Sequence, residues 1–72
     1  MQINVKNVEP CGSIAFGKGT VVESDTWPKP GMEVSFVGEY RMLAEIAEAL
    51  DAGEEVVAEV PEWAVTDWQG AA

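Results

Sequence analysis

Residues 32–60, MEVSFVGEYRMLAEIAEALDAGEEVVAEV, change their hydrophobic period twice, and the two changes decide the fold. Met32, Val34 and Phe36 alternate with Glu33 and Ser35, the two-residue period of a strand with one buried face. After Gly38 the apolar residues Leu43, Ile46, Ala47 and Leu50 recur at spacings of three and four, with Arg41, Glu45, Glu48 and Asp51 on the opposite side. That pattern predicts an amphipathic helix from about residue 39 to 52, closed by Gly53 as its terminator. From Glu54 to Val60 the period returns to two, with Val56, Ala58 and Val60 on one face and Glu55, Val57 and Glu59 on the other. Pro61 then ends the pairing or marks an edge strand.

Working outward, residues 2–8 place Ile3 and Val5 on one side and Gln2, Asn4 and Lys6 on the other, which predicts a first strand. Pro10, Cys11 and Gly12 are expected to interrupt it. The runs 13–16 and 20–23 flank Gly17-Lys18-Gly19 and read as a hairpin turning at those glycines. Residues 25–31, with Pro28, Pro30 and Gly31, form a loop. Residues 62–69 fit a last strand or a short helical turn equally well. The order β-β-β-β-α-β predicts one acidic α+β domain over residues 1–72. It would hold a small antiparallel or mixed sheet of about five strands with one amphipathic helix packed on it. A small β-barrel with an inserted helix is the competing architecture.

Charge is the strongest functional clue. Thirteen acids face four bases, a formal net charge of −9, and histidine is absent. Residues 1–36 carry four acids and three lysines, a balance of −1, while residues 37–72 carry nine acids against Arg41 alone, a balance of −8. A surface of this sign repels nucleic acid and anionic lipid headgroups, so neither direct nucleic-acid binding nor membrane binding is expected. The chain has no run of about 18 apolar residues and no basic-then-apolar leader. With one cysteine, Cys11, it has no internal disulfide, which favours a cytoplasmic location, or the host cytoplasm for a virus-encoded protein. The core of so short a chain is thin, which leaves room for homo-oligomerisation or a stabilising partner.

Familiar catalytic chemistry is not supported. Residues 12–19 match the phosphate-loop pattern GxxxxGK[ST] except at Gly19, but the following Thr20-Val21-Val22 favours a strand where that loop requires a helix. Without histidine there is no Ser-His or Cys-His pair, and Cys11 is expected to be buried or inert. One cysteine with carboxylates does not make a structural zinc site, and no segment follows the calcium-loop pattern. No catalytic, cofactor or metal residue is assigned.

The assigned residues are partner-binding ones: Glu45, Glu48, Asp51, Glu55, Glu59, Glu62 and Asp67 as an acidic ridge, and Trp27 in its proline-bounded loop as an exposed anchor. Alternate strand residues lie about 6.8 Å apart and helical neighbours about 5–6 Å apart, spacings that approximate a row of phosphates. Trp63 and Trp68 read mainly as packing residues. The expectation is a non-catalytic binding module, an inhibitor or modulator that docks a nucleic-acid-mimicking face on a basic protein surface, as small virus-encoded anti-defence proteins do. Alternatives are an assembly protein such as a phage particle component, and a small enzyme or ligand-binding domain.

Overall fold

The alternation of Ile3 and Val5 with polar neighbours becomes an interior strand of the sheet in the computed structural model, which describes residues 1–25 and 28–69, for 67–69 the backbone pairing only. The elements are β1 (Gln2–Cys11), β2 (Ile14–Glu23), β3 (Glu33–Glu39), α1 (Tyr40–Asp51), β4 (Val56–Glu59), a single 3₁₀ turn (Glu62–Ala64) and β5 (Val65–Gln69). All pairings are antiparallel, in the order β4-β1-β2-β3-β5. The chain is thus a small α+β fold with an open five-stranded sheet and one helix. No β4–β5 ladder closes it into a barrel.

The turn between the first two strands is not where the glycines suggested. Cys11 pairs with Ile14, so β1 runs on through Pro10 and the hairpin turns at Gly12-Ser13. Gly12 takes φ 67°, and among the described residues none other than glycine has a positive φ, the pattern of a tight two-residue turn with glycine first. Gly17-Lys18-Gly19 lies inside β2, and the glycines serve close packing there instead of a turn. A Cβ on Gly17 would press into the Phe36 ring, and one on Gly19 would stand 2.7 Å from Ile3 Cγ2 and closer still to the Asn4 carbonyl oxygen. The two predicted strands of that hairpin are therefore one, and the fifth strand comes from residues 65–69.

Helix α1 follows its predicted stripe. Leu43 is buried and Ile46 and Leu50 pack against the core formed by Ile3, Val5, Ala15, Val21, Val34, Phe36, Val60 and Ala64. Its first amide, Tyr40 N–H, donates to the Ser13 carbonyl at 3.1 Å and ties the helix start to the hairpin tip. At the other end Glu54 N–H donates to the Ala49 carbonyl and Gly53 N–H to the Leu50 carbonyl, with Gly53 at φ 83°. This is a Schellman closure, which satisfies two carbonyls the helix leaves orphaned. Gly53→Ala is expected to lower stability by about 1 kcal/mol, because an L side chain is strained at that φ. A shifted urea midpoint with unchanged slope would show it.

Residues 61–69 realise both alternatives in succession. Pro61 and Glu62 open one 3₁₀ turn, and Val65 then starts β5 against β3. Only residues 60–64 separate β4 from β5, although these strands form opposite margins of the sheet. Six Cα steps span at most about 20 Å, and a 3₁₀ turn shortens that reach. Four strand spacings of about 4.8 Å amount to about 19 Å in a flat sheet, so this sheet is curled. The connection crosses its inner side, where Val60 and Ala64 are buried. Inner residues are thus covered by α1 and by residues 60–64, while Gln2, Asn4, Lys18 and Glu33 belong to the outer face.

Candidate functional site

Glu48, Asp51, Glu54, Glu55, Glu59 and Glu62 follow one another along α1, its closing turn, β4 and the 3₁₀ turn, with no basic residue between them. All are exposed, as is Glu45. They do not share one face. With Leu43, Ile46 and Leu50 turned to the core, a rotation of 100° per residue points Glu45 and Glu48 to the side of the helix away from the sheet. Glu59 is opposite Gln2 and Val57 opposite Asn4, which places Glu55, Val57 and Glu59 on the outer sheet face. The Asn4 Nδ2 bond to Glu55 Oε1, 3.0 Å, agrees with that placement. The acidic stripe therefore bends around the β4 margin, with Asp51 and Glu54 at the bend. Asp67 lies opposite Ser35 in β5, but its side chain is outside the described residues, as is all of Trp27.

The acids on the helix oppose its dipole. The last turn has no basic residue, and Glu48 and Asp51 stand where the helix already carries partial negative charge. Each such placement costs about 0.3–1 kcal/mol at a solvated site, so the sequence departs here from what helix stability alone favours. Neutralisation from within the chain is slight. Among the described residues two ion pairs form, the Met1 amine with Glu59 at 3.2 Å and Arg41 with Glu39 at 3.8 Å, and the second is exposed on both sides. The end of α1 and the β4 margin form the negative pole of the molecule.

One large apolar group stands beside this pole. Trp63, in the 3₁₀ turn directly after Glu62, is 84% exposed, which corrects its reading as a packing residue. The reason is local: residues 62–64 make a single turn, so only one side chain, Ala64, faces the core, and Trp63 points out. Periodicity needs more than one turn to reveal a face, so the sequence held no signal for this exposure. Cys11 is exposed at the end of β1, so of the two expectations for it, buried or inert, burial is excluded. The outer sheet face carries Ile14, Phe16 and Val22 of β2 and Val57 of β4, all at least one-third exposed.

A shallow open depression of about 190 Å³ lies between Met1, Gln2, Glu23, Ser24, Asp25 and Glu59. Its floor follows the cross-strand row Glu59–Gln2–Glu23. Among the described residues no three His, Cys, Asp or Glu side chains are grouped so as to hold a metal ion, and no buried side-chain polar atom lacks a partner. No described helix is long and apolar enough to cross a membrane. Comparison of the chain with protein-family models, with curated proteins and with solved structures gave no match.

Proposed function

We propose that the protein is a non-catalytic binding module that docks its α1–β4–3₁₀ margin on a basic protein surface, as an inhibitor or modulator of that partner. The observation that carries this reading is Trp63, 84% exposed and preceded in sequence by Glu59 and Glu62. A large aromatic group offered to solvent amid like charge is the composition of an interface anchor with a charged rim. The rim steers a basic partner and sets the salt dependence, and the indole supplies buried area. Mimicry of a nucleic acid is a finer version of the same reading. It requires a partner groove that embraces the bent stripe from Glu45 and Glu48 to Glu55 and Glu59.

The test is capture of partners from a lysate at low and high salt by three proteins: the wild type, Trp63→Ala, and a variant with Glu45, Glu48, Glu55 and Glu59 all changed to Lys. Loss of Trp63 is expected to weaken retention of a basic partner at least ~30-fold, the effect of an interface hot spot worth about 2 kcal/mol. Its thermal midpoint should fall little, because the side chain is 84% exposed and outside the buried core. The same partners retained by the charge-reversed protein would refute the reading. The open sheet margins favour a second reading, an assembly component whose edges pack against neighbours. That reading requires large species in sedimentation whose size changes little with salt.

A further inference from the structure

The backbone at the β4 margin says how a partner is held. Val60 N–H donates to the Met1 carbonyl at 2.8 Å, and the Met1 amine donates to the Val60 carbonyl at 2.9 Å. Residues that exchange both bonds form a hydrogen-bonded pair, and such pairs alternate along an antiparallel ladder. Counting back by two, Ala58 with Ile3 and Val56 with Val5 are of the same kind. Glu59 with Gln2 and Val57 with Asn4 are of the other kind, so the N–H and C=O groups of Val57 and Glu59 point away from β1. Among the described residues no strand lies on that side, and no turn or loop backbone hydrogen bond reaches these groups. Val57 is half exposed, and the Glu59 side chain is 72% exposed.

We infer that the free edge of β4 accepts an extended segment of a partner protein, carrying Lys or Arg at alternate positions, as a sixth strand. The inference rests on the binding-module reading and supplies its mode of recognition. A strand laid along β4 would take up the outward groups of Val57 and Glu59. Its outward side chains would face Glu55, Val57 and Glu59 across about 4.5–5.5 Å. Opposite charges at the two outer positions stabilise such pairs and like charges oppose them. A second copy of this chain is the occupant the charges argue against: β4 on β4 would set Glu55 and Glu59 against Glu59 and Glu55 in a pair of molecules each at −9. Acidic residues on an edge guard it against indiscriminate pairing, and here the same residues leave basic strands as the ones admitted.

The full chain, labelled for amide NMR, is titrated at low salt with the blocked peptide acetyl-Lys-Val-Lys-Val-Lys-amide and, separately, with its glutamate counterpart acetyl-Glu-Val-Glu-Val-Glu-amide. Saturation with the lysine peptide is expected to slow exchange of the Val57 and Glu59 amides at least tenfold. The Val56 and Ala58 amides, already bonded to β1, should change little, and the glutamate peptide should not bind. Val57→Pro removes an outward N–H and leaves the β1 ladder intact, so it should weaken peptide binding at least tenfold where Val57→Thr does not. Lysine-peptide binding without protection of Val57 and Glu59 overturns the edge inference alone and leaves the acidic-surface reading standing. Absence of lysine-peptide binding overturns the edge inference as well, and the acidic-surface reading then depends on the charge-reversed variant. The exchange measurement uses the wild-type chain, so the conclusion survives a Val57→Pro variant that does not fold.

Discussion

Gly19→Ala is expected to lower stability by about 3 kcal/mol or more, a very large loss for one methyl group. The added Cβ would stand 2.7 Å from Ile3 Cγ2 and inside the contact radius of the Asn4 carbonyl oxygen, which belongs to the neighbouring strand's backbone. A side chain can turn aside, but this carbonyl cannot move without breaking the β1–β2 ladder. Overpacking of a yielding core costs about 1–3 kcal/mol, and here the upper end or more applies. A chain of this length has a total stability of roughly 4–11 kcal/mol, so the loss is a large share of it. Far-ultraviolet circular dichroism and a urea titration would measure it. A midpoint within about 0.5 kcal/mol of wild type would show that β1 and β2 can separate freely at this point.

The second large effect is centred on Phe36, 2% exposed and the largest of the fully buried side chains. Phe36→Ala should remove about 3–5 kcal/mol, the transfer energy of the ring plus the cavity it leaves. At about 4–8 °C per kcal/mol for a domain of this size, the thermal midpoint should fall by at least ~12 °C. Gly17 makes the prediction sharper, because its Cα faces the Phe36 ring with no room for a methyl group. Gly17→Ala alone should destabilise by clash, yet in the Phe36→Ala background the same methyl enters the cavity. The double variant should therefore be more stable than the sum of the single losses by about 1 kcal/mol or more. Strict additivity would mean that the two positions do not share a space.

These two glycines also mark where the sequence misleads. Gly17-Lys18-Gly19 has the composition of a turn, and a linear reading has no means of knowing that Phe36 and Asn4 stand over it. The true turn, Gly12-Ser13, straddles a boundary of the linear reading, which gives Gly12 to an interruption with Pro10 and Cys11 and Ser13 to the next strand. What was legible had an extended period: the helix stripe from Leu43 to Leu50, and the alternation of Val56, Ala58 and Val60. The acidic residues were legible as exposed, since their faces follow from the same periods. Their division between the helix and the outer sheet face was not, because it depends on which side of the sheet the helix covers. Trp63 escaped because a single 3₁₀ turn carries no repeat.

The ladder order carries a consequence for how the molecule comes into being. Strand β1 is flanked on one side by its neighbour in the chain and on the other by residues 56–59, and β3 likewise waits for residues 65–69. While the chain is being synthesised, β1, β2 and β3 can only form a three-stranded meander whose apolar inner side still lacks Val60 and Ala64. The five-stranded sheet is complete only once residues 56–69 have joined that meander, so its two opposite margins close late and almost together.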